Sequence, residues 1–342
     1  MGLLSFLGFG NNKNKVEITD NLIAAAQLAK TELDNKNNYF KTLDNEDFCK
    51  KYAVELAQVF ACCDTLMSKI PNVLELNKNN FNTQPLIHLL FASADDMFNI
   101  IGASDSMRNF ANNNEYIFLP DENNIYAFLI ADKKIKKQFG VAEVDGKIVN
   151  DVMQNILYFE NEYFATAMAT DLEKLKNKLR LRFVFLLIQK YIKTIEILQQ
   201  QKENLRSQIE LEKSKLLVNK NLPEITIIQK NVDELDTKYK EISKILTPEN
   251  QQQELHKFLQ NCNSFMSEQN MNYKVNAMGL IYDENIDSNN NEIMELDFPE
   301  FTLNFEENNS TNKVGFFVAI TKKDIKYCIE KVNVIRSKSR FV

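Results

Sequence analysis

Residues 188–246 read IQKYIKTIEILQQQKENLRSQIELEKSKLLVNKNLPEITIIQKNVDELDTKYKEISKIL. Apolar side chains recur there at steps of three and four: Ile188, Tyr191, Ile195, Leu198, Leu205, Ile209 and Leu216. A break at 219–224 contains Pro223, and the pattern resumes with Ile228, Val232, Leu235, Tyr239, Ile242 and Leu246. Such spacing lines one stripe of a helix, and a sustained seven-residue repeat makes helices pair. Two stripes joined by a short connection predict an antiparallel helical hairpin over about 188–246, with its tip at 219–224. Lys202 and Glu212 interrupt the seam and face solvent or select a register.

Outward from this stretch, residues 1–15 are expected to be a flexible tail and 16–150 a helical region with a small β element at 115–150. Residues 151–270 are expected to be long helices that include the hairpin, and 271–342 antiparallel strands with a closing helix. Thr19 or Asp20 starts one helix, and a second begins near Leu43-Asp44-Asn45-Glu46 and stops before Pro71. Tyr116–Leu119 and Ile125–Ile130 are β-prone, Lys133–Gln138 reads as a helical turn, and Asp145-Gly146 between apolar runs predicts a tight hairpin. Val152, Ile156, Leu157, Phe159, Tyr163, Phe164 and Met168 fit a helical face. Strands are expected at Val275–Tyr282, Ile293–Phe298, Phe301–Phe305 and Val314–Ile320, followed by a helix capped by Thr321 and Asp324. The fold class predicted is α+β, mostly α: a helical globular part, a protruding antiparallel coiled-coil hairpin and a small antiparallel C-terminal sheet.

Composition narrows the function classes. The chain has 342 residues, 44% hydrophobic and 26% charged, enough to bury a core. A net charge of −6 argues against a general duplex-binding protein, which needs a basic face. No apolar run reaches the roughly 18 residues of a membrane span. The first nine residues, with Leu3, Leu4, Phe6, Leu7 and Phe9, are a candidate for weak peripheral membrane contact. Five cysteines without a CxxC pair fit a reducing, cytoplasmic setting, and the Asn- and Lys-rich, Gly-poor usage suggests an AT-rich, bacterial genome. Cys62 and Cys63 are adjacent within a helical pattern. Helical neighbours point about 100° apart, so both are read as packing residues, with a redox pair the sharper alternative.

Chemistry is sparse. There are two histidines, His88 and His256, and the sequence contains neither HExxH, GxxxxGK[ST], GxGxxG nor GxSxG. No residue is assigned as catalytic or metal-ligating, and no cofactor is implied. Asp95 with Asp96, and Glu160 with Glu162, are read as solvated helix acids. The densest cationic run is Lys174, Lys176, Lys178, Arg180 and Arg182, a candidate patch for an anion or an acidic partner. On a helix these cations wrap around the axis rather than concentrate. The leading expectation is an interaction or scaffold protein. It would contact a protein partner, or itself, through the hairpin seam: Ile195, Leu198, Leu205, Ile209, Leu216, Ile228, Val232, Leu235, Tyr239 and Ile242. A nucleic-acid- or nucleotide-associated protein using 174–182, and an enzyme with an unfamiliar pocket, are the alternatives.

Overall fold

The computed structural model describes residues 16–36, 39–144, 147–218, 222–282, 293–303 and 312–338. The chain divides into two compact units, one of Met1–Cys62 with Leu181–Asn263, the other of Cys63–Arg180 with Ser264–Val342.

The first unit is helical. Helix α1 (Asp20–Lys36) follows Thr19, whose hydroxyl accepts from the Leu22 N–H at 3.4 Å. Helix α2 (Asn45–Ser68) starts where the Asp44 carboxylate accepts from the Asp47 N–H at 2.7 Å and ends before Pro71. The end of α2 from Cys63 on, the start of the long helix below as far as Arg180, and everything between them belong to the other unit. The long helix, numbered α8 (Leu172–Val218), has 47 residues, or roughly 70 Å of rise. It is followed by α9 (Leu222–Ile245) and α10 (Pro248–Gln260), the latter with proline at its first position after Thr247. An aromatic cluster fills the centre of this unit. Phe40 meets Phe48 at 6.3 Å and Tyr191 at 6.5 Å, Phe48 meets Tyr52 at 4.6 Å, and Tyr191 meets Phe258 at 5.2 Å. The Tyr191 hydroxyl donates to the Gln251 carbonyl at 2.7 Å, so this buried phenol is not left without a partner.

The second unit is built on one large sheet. Its strands are β1 (Leu74–Glu75), β2 (Asn124–Val144), β3 (Lys147–Ala169), β4 (Met266–Val275), β5 (Ile281–Tyr282), β6 (Met294–Leu303) and β7 (Asn312–Thr321). The order is β3-β2-β7-β6-β4-β5, antiparallel throughout, with β1 pairing parallel to β7. The sheet curls until its two edges touch. Ile156 on β3 bridges Leu280 beside β5, and the Leu157 N–H donates to the Gly279 carbonyl at 2.8 Å. Helices α3 (Lys78–Thr83), α4 (Pro85–Leu90), α5 (Ala94–Ala103), α6 (Asp105–Ala111), α7 (Asn114–Ile117) and α11 (Lys322–Lys338) complete the unit. Their buried Ile87, Met97, Ile101, Met107, Phe110 and Ile325 share one core with Ile125, Leu129, Leu157, Val314, Phe316 and Val318 of the strands. Across the concave face, Lys133 of β2 donates to the Glu300 carboxylate of β6 at 2.5 Å and to the Tyr273 hydroxyl of β4 at 3.1 Å. The Thr321 hydroxyl accepts from the Asp324 N–H at 3.1 Å, the start signal read for α11.

This sheet corrects the predicted fold class. The expected small C-terminal sheet on a mostly helical chain is instead a large curled antiparallel half-barrel of six strands. Two long strands, β2 and β3, come from the middle of the sequence. Lys133–Gln138, expected as a helical turn, is strand, and so is 150–168, expected as helix. The physical reason is bulging. Register shifts fall between Ala127/Leu129, Ile130/Asp132 and Gly140/Ala142, and Asn161 and Asp151 sit at the last two with φ of 55° and 58°. Each extra residue flips the side-chain alternation, so a period of two is scrambled into spacings that resemble three and four. Tyr116–Leu119, expected as strand, begins inside α7. Met266–Lys274, not expected as strand, forms β4, and Val275–Tyr282 divides between the end of β4, a turn and β5. Around the expected Asp-Gly turn, Val144 pairs with Lys147 and Glu143 with Ile148; residues 145 and 146 themselves lie outside the described residues.

Candidate interaction surface

Helix α8 leaves its apolar stretch at Ile195 and runs on beside α9. The segment 201–208 of α8 lies opposite 238–242 of α9, and 208–212 lies opposite 231–238, so the two run antiparallel. Lys202 places its ammonium 5.5 Å from the centre of the Tyr239 ring, which gives a seam cation an aromatic partner instead of an unpaired site. Glu212 pairs with Lys215 at 2.5 Å.

A two-helix pair buries little. Of the seam residues read from the sequence, Ile195 lies in the base of the unit and is buried, and Leu198 is half-buried. Beyond these, Ile209 and Val232 are buried, whereas Leu205, Leu216, Ile228, Leu235, Tyr239 and Ile242 remain half-buried. Two shallow grooves, about 350 and 250 Å³, lie between the helices and share Gln208 and Lys238. Leu205 and Ile242 floor one, and Leu211 and Leu235 the other, with Glu212, Glu234, Lys238 and Glu241 at the rims. The seam pattern did not single out the apolar residues outside it. Leu211 is 59% exposed, Ile227 62%, Val218 81% and Leu217 89%, the last three near the α8–α9 connection. The signal was available, since these side chains fall out of phase with the repeat.

The cations of 174–182 are engaged with neighbours. Lys174 lies 3.3 Å from Asp171 and 3.9 Å from Glu115, Lys176 lies 2.8 Å from Glu173, and Lys178 lies 3.6 Å from Glu115 while donating to the Met168 carbonyl. Arg180 pairs with Asp64 at 2.6 Å, and Arg182 stacks 4.8 Å from the Phe185 ring. Lys174, Lys176, Lys178 and Arg180 therefore present ion pairs, and Arg182 packs against a ring.

The remaining polar groups are structural in their contacts. His88 rests against Phe81, with ring centres 4.3 Å apart. His256 Nδ1 lies 2.9 Å from the Glu55 carboxylate and its ring stacks 4.4 Å from Tyr52. Burial raises the Glu55 carboxyl, but hydrogen bonds from His256, from the backbone and from Gln260 outweigh it and hold the group below its ordinary range. Asp96 accepts from the Ala92 N–H at 3.2 Å and Asp95 pairs with Lys331 at 2.6 Å, both at the start of α5. Glu160 and Glu162 stand on β3, not on a helix. Glu160 lies 3.4 Å from Lys134, and Glu162 is raised by burial and by the nearby Asp96, Glu160 and Asp132. Among the described residues, no group of three or more His, Cys, Asp or Glu side chains is arranged to hold a metal, and no helix is long and apolar enough to cross a membrane. The candidate membrane contact at residues 1–9 lies outside the described residues. No protein-family model, curated protein or solved structure matches the chain.

Proposed function

We propose that the chain is an interaction protein that uses the α8–α9 pair to seat a helix, either from a partner protein or from a second copy of itself. One observation carries this reading: the grooves between α8 and α9 are floored by Leu205, Leu211, Leu235 and Ile242, which the pair cannot cover alone. A third helix laid there would remove those side chains from water, at roughly 25 cal/mol per Å² of apolar area covered. Apolar positions at heptad spacing are what such a partner would also present, so a coiled-coil-like three-helix contact is the simplest geometry. The charged rim of Glu234, Glu241 and Lys238 would set its orientation more than its strength.

The nucleic-acid reading is weaker, because each cation from Lys174 to Arg180 already has an acid or carbonyl partner. The test is to compare the intact protein with a variant lacking 199–245 by sedimentation and by affinity purification from the native cell. Loss of an associated helical protein, or of self-association, in the deleted form supports the reading. Identical mass and identical co-purifying proteins in both forms overturn it.

A further inference from the structure

Beyond Asp132, the last β2 residue paired with β7, strands β2 and β3 run on as a two-stranded ribbon to the Val144–Lys147 pair. Among the described residues, β2 has no other strand partner there. Successive side chains of a strand alternate between two faces. One face of the ribbon is polar. It carries Lys134, Lys136 and Gln138, with Gln154 laid across Gly140, where an added Cβ would come within 2.0 Å of the Gln154 amide oxygen. The Gln154 amide also donates to the Val141 carbonyl at 3.0 Å. The other face continues the core outward from Leu157 and Phe159. Ile135 stands opposite Leu157, Phe139 stands opposite Met153, and Val141 and Ile148 follow toward the tip. These apolar side chains stay in water, from Ile135 at 46% exposed to Ile148 at 79%. Ile135, Phe139, Val141, Ile148 and Met153 together leave about 500 Å² of apolar surface uncovered, as much as the largest patch on an ordinary monomer.

We propose that this face packs against the same face of a second copy of the chain, the two ribbons forming a two-layered sandwich about a two-fold axis at the Phe139–Met153 pair. Two such patches laid together bury about 1,000 Å², the size at which a specific interface begins. Sheets packed in this way lie about 10 Å apart with their side chains interdigitated. Charge selects the direction. Lys137 lies two residues from Phe139 toward the base of the ribbon, and Asp151 lies two residues from Met153 toward its tip. Antiparallel ribbons bring Lys137 of one copy level with Asp151 of the other, whereas parallel ribbons set like charges level with each other. The same Asp151 favours a second copy over an anionic membrane surface, which would repel it. The contact uses none of the α8–α9 groove residues and does not rest on them.

The experiment follows self-association of the full chain by sedimentation equilibrium at concentrations up to about 100 µM, where a contact of micromolar strength is populated. Leu205→Asp with Leu235→Asp is the background, so that contacts through the α8–α9 grooves are removed. A monomer–dimer equilibrium is expected in this background. Phe139→Asp should weaken it at least tenfold, and Met153→Asp on the other strand should do the same. Gln138→Asp, on the polar face, should leave it unchanged. Because Phe139 and Met153 are mostly exposed, the circular dichroism and thermal midpoint of each variant should match the background. A monomer throughout the series would overturn the proposal, as would equal loss from Gln138→Asp and Phe139→Asp. A monomer that binds vesicles of phosphatidylcholine and phosphatidylserine through Phe139 would also overturn it.

Discussion

Leu157 and Gly279 meet backbone to backbone where the curled sheet closes on itself. The Leu157 N–H donates to the Gly279 carbonyl at 2.8 Å, and a Cβ built on Gly279 would lie 2.2 Å from the Leu157 carbonyl oxygen. Gly279 also holds φ at 79°, the left-handed region in which glycine alone is at ease. Gly279→Ala should therefore cost about 2 kcal/mol from backbone strain and lost closure. Chemical denaturation measures this, and hydrogen exchange should show the Leu157 amide losing protection before the β2–β7 amides do.

The Lys133–Glu300 pair gives a second test. Both side chains are almost fully buried, and one Glu300 oxygen has no hydrogen-bond partner. Removing one member leaves a buried charge, so Lys133→Met and Glu300→Leu should each destabilise by about 3 kcal/mol. The double variant should recover much of that loss. A double-mutant cycle in urea reads the coupling, and simple additivity would show that the pair does not act as a unit.

On the α8–α9 surface, Leu205→Asp and Leu235→Asp should leave the helix content measured by circular dichroism nearly unchanged, because both side chains are already half exposed. Association with the partner or second copy should fall at least tenfold, which corresponds to about 1.4 kcal/mol. Ile209→Ala acts differently. It removes one of the buried seam contacts and should destabilise the pair itself by about 2 kcal/mol.

Acid should weaken the helical unit through Glu55. Its carboxyl is held lower in the folded chain than in the unfolded one, so its contribution is complete above the unfolded value, about 4.3, and disappears as pH falls through the folded value. Unfolding midpoints measured between pH 7 and 3 should fall less steeply for Glu55→Gln than for the wild type. Equal slopes would remove Glu55 from the account.

The heptad stripe was readable because spacing alone identifies a helix face, and α8 and α9 present it. The start signals at Thr19, Asp44, Thr321 and Asp324 were readable because capping is local: the Asp44 carboxylate accepts from the Asp47 N–H at 2.7 Å. The long strands were not. Asn161 and Asp151 insert bulges, and a bulge is felt only against a partner strand that no local window contains. The Glu55–His256 relationship joins residues 201 positions apart, and no local window contains both partners.

The strand order has a bearing on how the molecule is made. β7 lies between β2 and β6, yet it is synthesised after both. At ordinary synthesis rates the finished β2–β3 ribbon waits on the order of ten seconds with one long edge uncovered, offering Phe128 and Ile130 to any neighbouring strand. A nascent chain in that state needs chaperone shelter, and a premature stop before Asn312 should yield inclusion bodies rather than a smaller working protein.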